Sequence, residues 1–198
     1  MRNNLSQDIR LFRNDFLESL THVHPILPLV VWSPLVAVLL WRSLFVHDLA
    51  LLPILGWGLL GLFVWTLTEY LAHRFLFHFP AKGRIARQLV FLFHGVHHDA
   101  PQDKTRLVMP PAGAAILAVL FYGAFSLVIP SPWIEPFFAF WVVGYLIYDY
   151  IHYATHHFRM SNRIGRFLKR YHMQHHFQRP DGHFGVSSPL WDHVFRTR

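Results

Sequence analysis

The chain has 198 residues, enough for one domain, and 53 % of them are hydrophobic and 17 % aromatic. Eighteen basic against eleven acidic residues leave a formal charge of +7, which in so apolar a chain must be segregated from the hydrophobic runs. With no cysteine, a disulfide framework, thiolate metal ligands and a cysteine nucleophile are all excluded.

From Met1 to about Val23, Arg2, Arg10 and Arg13 mix with Asp8, Asp15 and Glu18, while Ile9, Phe12, Phe16 and Leu20 recur at helical spacing. This predicts an amphipathic helix on a membrane surface. It is not a signal peptide, since the first long apolar run starts too late and no small-residue cleavage site follows. Four apolar runs come next, at about 26–45, 49–72, 107–129 and 133–150, each near the length that a bilayer core requires. They predict an all-α integral membrane protein with four transmembrane helices in a single domain. Pro28 and Pro34 kink the first, which a membrane helix tolerates, and Pro130-Ser131-Pro132 joins the last two tightly. If the spans alternate in direction, segments 1–25, 73–106 and 151–198 share one side, and of the eighteen Lys and Arg only Arg42 falls near the other. The positive-inside rule then places both termini in the cytoplasm, at the inner membrane of a bacterium or the endoplasmic reticulum of a eukaryote. A pI near 10 also suits nucleic-acid binding, but four spans argue against such a partner.

The histidines lie on that same side. Thirteen of the sixteen stand at or beyond position 73, in the motifs His73-x-x-x-x-His78, His94-x-x-His97-His98, His152-x-x-x-His156-His157 and His172-x-x-His175-His176. Residues three and four apart share a helix face, so His94, His97 and His98 present three imidazoles together, as do His172, His175 and His176, with His152 and His156 as a pair. His73 and His78 are five apart, about 140° around an α-helix, which predicts that they flank two ions rather than serve one. Ten nitrogens are too many for one metal and suit two adjacent ions with about five each. Such a pair leaves a coordination position open, unlike the closed four-coordinate structural zinc site. All-nitrogen ligation points to a redox metal such as iron, with zinc able to occupy the same ligands on isolation. Asp149, three residues before His152, is expected to orient an imidazole N–H. Glu69, an ionisable group inside an apolar span, is expected to be functional, neutralised by Arg74 or a ligand histidine.

The segments HRFLFH, FHGVHHDAPQDKTRLVMPP, YDYIHYATHH and FLKRYHMQHHFQRPDGHFGVSSPLWDHVF resemble the fatty acid hydroxylase superfamily of membrane di-metal oxygenases over about residues 65–198. The histidine pattern alone is shared with sterol desaturases and carotenoid ring hydroxylases. RLVMPP and FGVSSPLWD are closer to the fatty acid 2-hydroxylases of sphingolipid acyl chains. The resemblance implies O2-dependent hydroxylation of a lipid acyl chain at a di-iron centre, with electrons supplied from outside. Some members carry an N-terminal cytochrome b5 domain. The 25 residues before the first span are too few for one, so a separate donor of cytochrome b5 or ferredoxin type, with its reductase, is expected. The resemblance also implies that His152 and His156, not His157, are ligands. It suggests His73, His94, His97, His172 and His175 around one ion and His78, His98, His152, His156 and His176 around the other. His22, His24, His47 and His193 are expected to be bystanders, and His183 has no ligand partner at helical spacing.

A physical argument favours the acyl 2-position: metal motifs at helix ends sit at interface depth, where a lipid presents the carbons next to its head group. A carotenoid ring also lies there, so a ring hydroxylase stays open. The basic stripe Arg159, Arg163, Arg166, Lys169 and Arg170 between two motifs suits anionic lipid or an acidic electron carrier. Two other classes are histidine-rich: a membrane haem protein, which would place its histidines across a span, and a zinc transporter, which would carry ionisable ligands at mid-membrane depth.

Overall fold

The computed structural model describes residues 9–198, and all regular structure among them is helical. Arg2 and Asp8 of the expected amphipathic helix lie outside the described residues. Beyond them the helix is confined to α1 (Asp15–Ser19), where the Asn14 side chain accepts from the N–H groups of Phe16 and Leu17 and so fixes the start. Glu18 ends any extension toward the N-terminus. Its carboxylate accepts from the backbone N–H groups of Leu11 and Phe12 at 2.9 and 2.7 Å and pairs with Arg106, so the chain before α1 folds back instead of continuing the helix.

Helix α2 (Leu27–Trp41) starts with a proline in its first turn, where the missing N–H costs nothing. It runs into a wider, π-helical turn at Arg42–Val46, closed by His47 N–H donating to Arg42 O at 2.9 Å. Helix α3 (Leu51–Ala72) ends in a second such turn, His73–Phe77. Then come α4 (Arg84–Val90) with a third π turn at Phe91–Gly95, the short α5 (Val96–Asp99), α6 (Pro111–Ser126), α7 (Ile134–His157), α8 (Arg163–Phe177) and α9 (Leu190–Val194).

Three stretches are long and apolar enough to cross a membrane: Leu27–Val46, Leu51–Phe77 and Ile134–His157, of 20, 27 and 24 residues. The expected run at 107–129 is shorter as a helix. Pro110 and Pro111 set its start, Leu107 and Val108 are buried outside it, and α6 has 16 residues, about 24 Å against a hydrocarbon core of about 30 Å. Large apolar side chains on α2, α3 and α6, such as Val30, Leu52 and Val119, are more than half exposed. So much exposed apolar surface on these helices suits a lipid environment.

The described residues divide into two compact units, one of 9–25, Thr68–Met109 and Tyr148–Arg198, the other of Ile26–Leu67 and Pro110–Ile147. In the second, the α3 and α7 backbones meet at glycine: a Cβ on Gly61 would come within 2.0 Å of Phe137 O, and one on Gly144 within 2.5 Å of the Trp65 ring. Trp65 packs edge-on against Trp141 and Tyr145, with centroids 4.8 and 5.6 Å away. Glu135 takes Arg42 at 2.8 Å and His47 at 3.0 Å. The first unit holds every clustered histidine.

Candidate metal centre

Ten histidines converge as two groups of five, each with its donor nitrogens within 4.8 Å of one another: His73, His78, His94, His98 and His175 in the first, His97, His152, His156, His172 and His176 in the second. The two motifs with three clustered histidines divide by the same rule. His94 and His98, four apart, go to the first group while His97 between them goes to the second; His172 and His176 go to the second while His175 goes to the first. On a helix, residues four apart stack more nearly in line than residues three apart, and each of these two motifs thereby lends one ring to the neighbouring set.

His73 and His78 share the first group because the helix between them is not α. His78 N–H donates to His73 O at 3.1 Å, a bond from residue i+5 to residue i, and such a turn brings residues five apart over one another. The 140° separation expected of an α-helix is absorbed by the wider turn. The partition suggested by family resemblance is redrawn accordingly. His97 and His172 stand with His152, His156 and His176, and His78 and His98 with His73, His94 and His175.

Nε2 atoms face each other within each group: His73 to His94 at 3.0 Å, His94 to His98 at 3.0 Å and His175 to His78 at 3.0 Å in the first, and His152 to His97 at 3.0 Å, His156 to His172 at 2.8 Å and His172 to His176 at 3.0 Å in the second. Two nitrogens each about 2.1 Å from a shared ion and at right angles about it are about 3 Å apart. His73 and His175 donate their Nδ1–H to the carbonyls of Phe184 and Gly182, at 2.5 and 2.7 Å. A neutral ring that donates at Nδ1 has only a lone pair at Nε2, so bare lone pairs are directed at neighbouring rings. A cation between them relieves that repulsion. The donor set therefore fits two metal ions, five imidazoles to each.

Electrostatics keep the rings in the neutral form, whose bare nitrogen is the one that ligates. Burial, then the neighbouring imidazole His175, pushes His78 down to about 4. Burial with the ring of His176 lowers His98 to about 2, and burial with His156 lowers His176 to about 2. Burial is also the main cause holding His94, His97 and His172 well below the ordinary imidazole range, and His175 below it.

The other six histidines stand outside both groups. His22 lies against Thr105 and Arg106, His47 against Glu135 and His193 against Arg198, while His183 packs edge-on to Tyr171. His157, next to His156, packs on Tyr153 at 4.6 Å. Asp149 is buried three residues before His152. Glu69 is buried as well, but the expected partners are corrected: Arg74 donates to Tyr70 at 2.8 Å, and Glu69 accepts from the N–H groups of Val186 and Ser187 at 2.7 and 2.8 Å and from the Ser187 hydroxyl. A helix-borne carboxylate without a cation is satisfied here by loop N–H groups. Spacing gives no sign of Asp192, fully buried and accepting from Phe184 and Gly185 N–H at 2.9 and 2.7 Å. The one hint in the sequence is the glycine-flanked segment Gly182-His183-Phe184-Gly185 just before it.

Comparison with known proteins matches residues 58–197 to the family described as fatty acid hydroxylase. The chain is 37 % identical over 188 residues to a dihydroceramide fatty acyl 2-hydroxylase of Arabidopsis thaliana, covering 95 % of this chain and 79 % of that one. It is 36 % identical to the fatty acid 2-hydroxylase of Rattus norvegicus, covering 98 % and 57 %, and 42 % identical to a ceramide very long chain fatty acid hydroxylase of Saccharomyces cerevisiae, covering 94 % and 48 %. The chain thus spans only about half the length of the rat and yeast relatives. Among solved structures, full-length scs7p, in which only the hydroxylase domain is visible, superposes with a TM-score of 0.88 at 40 % identity, over 94 % of this chain and 70 % of that one.

Proposed function

The chain belongs to the fatty acid hydroxylase family, and from that premise we propose that it hydroxylates a lipid acyl chain at the 2-position, most simply the acyl group of a sphingolipid. The observation that carries the reading is the depth of the histidine groups along their helices. His73 stands 22 residues beyond Leu51, about 33 Å along the helix axis, just past a hydrocarbon core of about 30 Å. His152 and His156 occupy the last turns of α7. At that depth a lipid whose head group rests in the interface offers the carbons beside its carbonyl, not its mid-chain.

Iron is the metal proposed for the active protein, since imidazole ligands suit a redox metal; the same rings also take zinc tightly, so zinc-loaded material would be inactive. Bound there, two such ions would supply the chemistry that inserts one atom of O2 into a C–H bond while two electrons and two protons carry the other to water. The protein's own part is to hold ten rings neutral, with a bare nitrogen available for ligation, and to keep the site at the lipid interface. The electrons come from a donor of cytochrome b5 or ferredoxin type. For topology, the proposal is that α6 crosses together with its flanking residues as a fourth span and that the histidine groups face the cytoplasm. In support, the unit that contains them collects nearly the same basic segments as the positive-inside rule assigns to one side.

The test is expression in a host that makes sphingolipids without 2-hydroxy acyl groups, followed by lipid analysis. Ceramides with 2-hydroxy acyl chains are expected with the wild-type chain and none with His156→Ala. Hydroxylation elsewhere on the chain, or none from a metal-loaded protein given a donor, overturns the regiochemical reading.

A further inference from the structure

The backbone from His183 to Ser187 is held by an unbroken series of donated hydrogen bonds. His183 N–H goes to Thr197 O at 2.8 Å, Phe184 and Gly185 N–H to the two oxygens of Asp192 at 2.9 and 2.7 Å, and Val186 and Ser187 N–H to one oxygen of Glu69 at 2.7 and 2.8 Å. The other Glu69 oxygen takes the Ser187 hydroxyl, and Thr197 Oγ1 donates to Asp192 Oδ1 at 2.7 Å. Five successive N–H groups are thus spent on three acceptors, two of them buried carboxylates, and bonds to a carboxylate are about twice as strong as neutral ones. Gly185 is a condition of the arrangement, because a Cβ there would lie 2.0 Å from Ser188 O and 3.0 Å from Asp192 Oδ2.

The Gly182 carbonyl shares its peptide plane with the His183 N–H held by Thr197 O, and the Phe184 carbonyl shares its plane with the Gly185 N–H held by Asp192, while Glu69 anchors the two residues that follow. Phe184 O accepts from His73 Nδ1 and Gly182 O from His175 Nδ1. We propose that Glu69 and Asp192 form a two-carboxylate clamp whose task is to present these two carbonyls, so that His73 and His175 stand in one orientation with Nε2 bare toward the first histidine group. Both are positioning residues, acting on the metal through a backbone loop and not by contact. The proposal rests on the two-ion reading given above. It deepens that reading by making the two ion sites unequal: the clamp supports two rings of the first group, and its carbonyls hold none of the second. A partner that orients a metal-binding imidazole is worth roughly 10- to 100-fold in metal affinity.

The experiment is release of zinc to a competing chelator from the full-length, zinc-loaded protein in detergent, counting ions per chain. Wild type is expected to hold two. Glu69→Ala and Asp192→Asn should release one ion roughly 10- to 100-fold more readily and leave the other unchanged, while Glu69→Gln, which keeps an oxygen for both N–H groups, stays near wild type. Ser187→Ala removes the hydroxyl bond to Glu69, and Thr197→Val removes the hydroxyl bond to Asp192 together with the 3.1 Å contact to the Tyr70 hydroxyl; both move the same ion in the same direction by less, and serve if the stronger variants do not fold. In a His156→Ala background, which keeps only the first group intact, Glu69→Ala should loosen the ion that remains. Faster release of both ions alike, or unchanged release in every clamp variant of a chain that holds two, overturns the clamp alone. A wild-type chain that holds fewer than two ions overturns the two-ion reading and the clamp with it.

Discussion

His73 and His78 decide between two ways of dividing ten rings. Spaced as on an α-helix they flank two ions, and removing both would empty both sites; joined by the i+5 to i hydrogen bond at 3.1 Å they serve one. The double variant His73→Ala/His78→Ala is therefore expected to keep one ion per chain, and His97→Ala/His152→Ala to keep the other. Metal analysis of folded protein reads the difference directly. His157→Ala should keep both ions, since that ring packs on Tyr153 outside either group. A second expectation at this scale follows from the depressed ring pKa values. In the unfolded chain these histidines take up protons below about 6.5, whereas in the folded protein His78 does so only near 4 and His98 only near 2. The unfolded state thus binds more protons across that interval, and acid favours it. The metal-free protein should hold a steady thermal midpoint above pH 7 and lose stability progressively as pH falls from about 6.5 toward 4. A midpoint that rises on acidification would contradict the burial of neutral rings.

At the scale of the helix, packing in the second unit is set by α3 and α7 approaching at glycine. Small residues let membrane helices come close, and the Cβ missing from Gly61 is the space that Phe137 O occupies. Gly61→Ala is expected to cost about 1–3 kcal/mol as overpacking, while Gly56→Ala, with nothing within 4 Å of the new Cβ, should be neutral. Detergent-solubilised thermal unfolding compares the two. Much of this level was legible beforehand: apolar runs located α2, α3 and α7, and the histidine motifs named all ten clustered rings. The departures have physical causes that composition does not carry. A π turn differs from an α turn by a single displaced hydrogen bond, so spacing read with 3.6 residues per turn misassigned His73 and His78. Consecutive prolines at 110 and 111 shortened α6. The Gly182 and Phe184 carbonyls are invisible in a sequence because every residue has one, and only folding selects which will face a histidine.

For the molecule as a whole, the electron supply proposed above would meet exposed arginines beside the histidine groups. Arg159, Arg163 and Arg170 are exposed around and along α8, the helix that carries His172, His175 and His176 on its buried side. Arg166 and Lys169 of the same stretch instead donate to the carbonyls of Ser161 and Phe158, at 2.6 and 3.0 Å, and so brace the loop before the helix. The three outer arginines are the ones that can be changed without loosening α8. A positive surface raises the encounter rate with an acidic carrier by 10-fold or more, and salt screens the gain over about 10 Å at 0.1 M. Reversing all three to Glu is expected to cut donor-dependent hydroxylation roughly 10-fold at low salt, to flatten its salt dependence, and to leave both metal ions and the thermal midpoint unchanged. Were these arginines anchors on anionic lipid instead, the variant would lose binding to anionic bilayers while its rate with a soluble acidic donor in neutral detergent stayed at the wild-type level. Measuring rate against donor concentration in neutral detergent, at low and high salt, therefore assigns the surface to the carrier or to the membrane.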